Sequence, residues 1–290
     1  MSALVLWALP LLVGFGSSAL VGVGAPFTLA ARGTVAEVRA ALDGGADVEA
    51  RTPIGATLLM SAAMNPDVDV LRLLLAAGAD HRAERQDGAT ALMEAALMNP
   101  DAEAVRVLLA AEHDPAARAA HADRAMEPAA RRTPNPEVLA ALLDAGADVE
   151  ARHRAGATPL MTASSTNAHP EVVQALLDAG ADLEARDAWG RTPVMGAARW
   201  NTQPQVLARL LAAGADVAAR DPSGMTALMI AARHNPNPEI VHRLLDAGAD
   251  ARLRDDAGHD AFDHVRFNAA LYLSDAYERL RGARSTGSEK

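Results

Sequence analysis

Thr226-Ala227-Leu228-Met229-Ile230-Ala231-Ala232-Arg233-His234-Asn235-Pro236-Asn237-Pro238-Glu239-Ile240-Val241-His242-Arg243-Leu244-Leu245-Asp246-Ala247-Gly248-Ala249-Asp250 reads as two short helices joined and closed by turns. The segment from Thr226 to Ala232 is compact and Ala-rich, so it can approach its neighbours closely. Asn237 is placed to cap a second helix, with Pro238 at the first position, where no amide hydrogen is needed. Ile240, Val241, Leu244 and Leu245 then share one face at helical spacing. Gly248 follows as the left-handed residue that ends the helix, and Asp250 to Gly258 reads as an extended, hairpin-like tip. One such unit cannot bury its own apolar face, so the core must come from stacking copies.

The copies are present. Gly-Ala-Asp recurs at Gly45, Gly78, Gly146, Gly180, Gly214 and Gly248. The intervals are 33, 68 and then 34 residues, and the double interval places a disguised unit at Glu112-His113-Asp114. A second marker keeps the same register: Asn65, Asn99, Asn167, Asn201 and Asn235, with Thr133 filling the gap. Fixed periods of this length signal a repeat solenoid. A shortened first unit starts at Pro26-Phe27-Thr28-Leu29, with Val35, Val38 and Leu42 on its second helix. The last runs from Gly258 to Leu280, giving about eight units over 25–281, an apolar leader over 1–24 and a polar tail over 282–290.

Thr158-Pro159-Leu160-Met161, Thr192-Pro193-Val194-Met195 and Thr226-Ala227-Leu228-Met229, each followed by small residues, a Leu-rich helix and Gly-Ala-Asp, resemble the ankyrin repeat. The doubled turn Asn235-Pro236-Asn237-Pro238 is similar to a bacterial variant of 34 residues. The resemblance implies an all-α helix-turn-helix solenoid that presents tips and first helices as a continuous concave face to a partner protein. Where the family usually has a His that ties neighbouring repeats, this chain has Met93, Met161, Met195 and Met229, so packing is expected to replace that polar link.

Composition narrows the function. The formal charge is −10, and every basic residue except Lys290 is Arg; an acidic chain without a basic run disfavours nucleic acid. There is no Cys, hence no disulfide, thiolate nucleophile or Cys-ligated zinc. From Met1 to Ala31 no side chain is charged. This start reads in three ways: a signal sequence cleaved after Ala19, an uncleaved anchor, or an apolar cap. The first implies an exported or periplasmic monomer, the second a membrane-anchored accessory domain that modulates an enzyme or channel, the third a cytoplasmic protein.

Chemical motifs are weak. Gly14-Phe15-Gly16-Ser17-Ser18-Ala19 mimics a dinucleotide loop but has no βαβ unit around it. Asp260 with His264, or His259 with Asp263, offers two metal ligands and no third. Ser164 near His169 pairs a nucleophile type with a base type in sequence only, since the register makes Ser164 a helix residue and His169 a cap. No catalytic residue, metal or cofactor is therefore expected, and the recurring Asn reads as the cap of its own turn. The fourth unit carries Pro128 inside its expected first helix, where it should kink or shorten it. Protein-binding candidates lie at the tips (Arg85, His153, Arg154, Trp189 and Arg191) and at first-helix ends (Arg199, Trp200, Arg233 and His234), because Trp and Arg most often dominate interface energies. Trp189 and Trp200 also have a structural reading, packing on a neighbouring tip and on the inter-helix turn.

Overall fold

The computed structural model describes residues 24–272 and 274–285. Among these residues there are eight successive helix pairs and no strand. The pairs are α1 (Gly24–Arg32) with α2 (Val35–Asp43), α3 (Leu58–Ala62) with α4 (Val68–Ala76), α5 (Ala91–Met98) with α6 (Ala102–Ala110), and α7 (Pro115–Arg132) with α8 (Pro136–Asp144). They continue as α9 (Pro159–Thr166) with α10 (Pro170–Asp178), α11 (Pro193–Trp200) with α12 (Pro204–Ala212), α13 (Ala227–His234) with α14 (Pro238–Asp246), and α15 (Ala261–Val265) with α16 (Asp275–Ser285). The chain divides into two compact units, 1–95 and 96–290, with the division falling inside α5.

In the first unit α1 packs on α3 and α2 on α4. In the second, the first helices α7, α9, α11, α13 and α15 pack in succession as one layer, and α6, α8, α10, α12, α14 and α16 form the other. Leu139, Leu160, Leu176, Met195, Leu207 and Leu228 are fully buried in this second unit, each worth roughly 1.5–3 kcal/mol of transfer free energy. The caps are those the sequence implies. Asn237 accepts from the Glu239 N–H at 3.0 Å, Pro238 opens α14, and Gly248 lies at φ +90°. Tips close by one recurring backbone bond, such as Asp221 N–H to Met225 O at 3.0 Å, which gives the hairpin-like form without a paired ladder.

Polar links between repeats survive the loss of His, which corrects the expectation that Met packing replaces them. Met161, Met195 and Met229 are buried, and the link has moved to the recurring Asn. Asn201 Nδ2 donates to Ser164 O and Asn167 O at 3.0 and 2.8 Å. Asn235 does the same to Ala198 O and Asn201 O, and Asn167 to Ala130 O and Thr133 O. In the first unit Asn65 holds Ala30 O and Gly33 O. Each is a cap of its own turn as well, as when Gln203 N–H donates to Asn201 Oδ1. Two further ladders run along the tips. Arg152, Arg186 and Arg220 donate to the carbonyls of Arg186, Arg220 and Arg254, respectively. Glu150 and Glu184 accept the N–H groups of Asp182 and Asp216.

The fourth repeat departs from expectation in a different way. Pro128 neither kinks nor shortens its helix; α7 is the longest helix described, 18 residues. Asp114 caps it and Pro115 occupies the first turn, so the helix nucleates well upstream and consumes the segment that forms a tip elsewhere. Ala122, Ala125, Met126 and Ala129 bury its inner face, and this packing holds the turn around Pro128. The register puts Ala116 where a ladder Glu would stand, and Asp123 takes over by accepting the Asp148 N–H at 2.6 Å. At the other end, helix α16 passes position 281 and ends at Ser285. The expected tail is therefore helical at its start, held where Arg284 pairs with Asp260 and Asp263 at 3.1 Å each. Of the leader over 1–24, only Gly24, the first residue of α1, lies within the described residues.

Candidate protein interface

One register position, the last before the buried Asn or its equivalent, points outward throughout the described chain. Met64, Met98, Arg132, Thr166, Trp200, His234 and Phe267 occupy it, and all are exposed. The preceding position carries Leu97, Arg131, Ser165, Arg199, Arg233 and Arg266 in the second unit. Both rows sit at the C-terminal ends of first helices, where only the Asn side chain turns inward.

A groove of about 570 Å³ opens on this surface. Its floor is cut by repeat five, which has Thr162, Ser165 and Thr166 where repeat seven has Ile230, Arg233 and His234. Gly196 deepens the approach of α11 to α9, since a Cβ there would meet Ser165 Oγ at 2.5 Å. Trp189 from the sixth tip and Trp200 from the end of α11 line the walls, with Arg131 and Arg191 also lining it.

Both indoles are exposed over more than half their surface, 56% for Trp189 and 60% for Trp200, so neither is a core residue. Each is backed by an arginine. The Arg191 guanidinium lies 4.4 Å from the Trp189 ring centroid and that of Arg199 lies 4.7 Å from Trp200, a cation–π geometry worth about 0.5–1 kcal/mol at exposed sites. Arg191 is pinned by Asp187 at 2.9 Å, and Asp187 also accepts the Trp189 and Arg191 N–H groups. This turn holds the indole in place. Arg233 lies 5.5 Å from the centroid of Phe267.

The electrostatics are one-sided here. Desolvation first, then Arg191 and Arg233, disfavour the charged form of Arg199, whose buried Nε has no acceptor. His234 is pushed down to about 4 by desolvation and then by Arg199, Arg233 and His264, so it is neutral at pH 7. The other candidates stand apart. Arg85, in the first unit, is clamped by Asp87 and Glu94 at 2.8 and 2.6 Å, and it does not line the groove. His153 is half-buried, its proton affinity lowered by desolvation against the pull of Glu127 and Asp123. Arg154 is exposed on the fifth tip and does not line the groove.

The possible chemical pairs have structural roles. Asp260 and Asp263 form the capping box of α15, and His264 Nε2 lies 2.8 Å from Asp255. Ser164 is fully buried, while His169 is the N-cap residue of α10. Among the described residues no three His, Asp or Glu side chains are grouped to hold a metal ion, and no helix is long and apolar enough to cross a membrane. The glycine-rich run at 14–19 lies outside the described residues.

The model for ankyrin repeats (3 copies) matches residues 27–119, 126–221, 170–255 and 195–277. The chain belongs to the ankyrin repeat family. Ankyrin repeats are protein–protein interaction modules and typically not enzymes. No curated protein matches the chain. Sequence reasoning missed Phe267 and Tyr272, exposed at 72% and 54%, and Asn268, which donates to Asn235 O at 2.7 Å. The signal for Asn268 was one residue out of period, 33 rather than 34 past Asn235.

Proposed function

We propose that this ankyrin chain is a non-enzymatic scaffold or inhibitor that holds a partner protein on the surface around repeats five to seven. The observation that carries the reading is the pair of exposed indoles, Trp189 and Trp200, on one groove. Large rigid aromatics with neighbouring Arg are the residue types that dominate interface energies when a partner covers them. Trp189→Ala and Trp200→Ala are each expected to weaken partner capture by roughly 2 kcal/mol or more while folding stays intact. Crosslinking from the native host with wild-type and variant chains measures the first, and denaturant unfolding the second. Arg82→Ala, on an exposed tip arm, is the control and should alter neither. Unchanged capture by both Trp variants would remove the site. The apolar start supports export as part of the same reading, and native protein beginning near Leu20 is its expected signature.

A further inference from the structure

We propose that the partner segment seated on this face is acidic, placing carboxylates along Arg199 and Arg233 and an apolar side chain in the groove between Trp189 and Trp200. The inference rests on the docking reading above and names its chemistry. Although the chain as a whole carries −10, the carboxylates beside this surface are already engaged. Glu127 pairs with Arg131, Asp187 with Arg191, and Asp263 with Arg284. Among the described residues Arg199 and Arg233 have no carboxylate partner. Arg233 disfavours the charge on Arg199, and both disfavour a charge on His234, so anionic groups from a partner are the complement that this row lacks. The aromatic faces beneath them keep the guanidinium groups out of bulk water on one side, which strengthens a charge-assisted bond to a carboxylate. The Met161 side chain also lines the groove, so the apolar and cationic features lie side by side.

The test is selection of 12-residue peptides from a random display library on the full chain, followed by affinity measurement of the winners. Enrichment in Asp and Glu beside one large apolar residue is expected. The Arg199→Gln/Arg233→Gln double variant should lose at least ten-fold in affinity, the Lys/Lys version should retain most of it, and raising salt should weaken binding to the wild type. Thermal unfolding of the variants should match the wild type, since both arginines reach solvent. Neutral or basic winners that still depend on Trp200 would overturn the acidic chemistry and leave the docking face standing. A selection that returns no Trp200-dependent binder overturns both. Binding of a single-stranded oligodeoxynucleotide through the same two arginines, as tight as that of the best peptide, would reassign the row to phosphate and overturn the proposal.

Discussion

Trp200 and Asn201 are neighbours in the chain, yet they belong to two rows with opposite physics. Asn167, Asn201, Asn235 and Asn268 are buried and uniform, whereas Thr166, Trp200, His234 and Phe267 are exposed and all different. An amide offers two donors and an acceptor on one short side chain, and Asn167, Asn201 and Asn235 use all three on backbone groups. Thr133 holds the position in the fourth repeat with a hydroxyl that bonds only Asn135. The outer row carries no such repeated set of bonds, and in the function proposed above its identity follows a partner. On that proposal stability and recognition are separated by a single peptide bond.

The largest effect that would break this contrast is at the inner row. Asn201→Ala leaves Ser164 O, Asn167 O and Gln203 N–H without their partner and should lower unfolding stability by about 3 kcal/mol, at roughly 1–3 kcal/mol for each buried unsatisfied group. Urea denaturation measures it, and a loss below about 1 kcal/mol would make the ladder ornamental. The adjacent Trp200→Ala should cost about 2 kcal/mol in binding and change stability by no more than about 0.5 kcal/mol, as surface substitutions do. A stability loss as large as that of Asn201→Ala would merge the two rows.

Smaller effects sharpen the comparison. Arg220→Met removes one rung of the tip ladder, bonds to Gly224 O and Arg254 O at 3.0 and 2.7 Å. These carbonyls are nearer to water than the Asn set, so the expected loss is about 1 kcal/mol. His234 supplies the least. Its folded pKa of about 4 lies below its ordinary value of 6.5, so its contribution is present above pH 6.5 and disappears as pH falls through 4. Because the side chain is exposed, screening keeps this under about 1 kcal/mol. His234→Gln should flatten that slope, and NMR titration of the imidazole should show a midpoint below 6.5. Addition of a selected acidic peptide should raise that midpoint.

The fourth repeat shows why some of this was not legible. Pro128 is read locally as a helix breaker, but whether a helix survives it depends on what packs around the turn, and Met126 and Ala129 are fully buried. Trp200 presented the same difficulty: its position at a helix end suits both packing and exposure, and the choice rests on the small residues of a repeat 34 positions earlier.

What the sequence by itself determined was most of what has a range of a few residues, with Pro128 the exception: helix pairs from apolar spacing, caps from Asn and Pro, and helix ends from Gly; the 34-residue period then named the fold. What only the tertiary structure decided were the contacts between repeats. The Asn amides reach carbonyls 32 to 37 residues back, Asp123 stands in for an absent Glu, and a groove opens where Thr162, Ser165 and Thr166 lie beside Trp200. These depend on how one copy is laid against the next, a geometry that stacking and burial set and that local propensity does not encode.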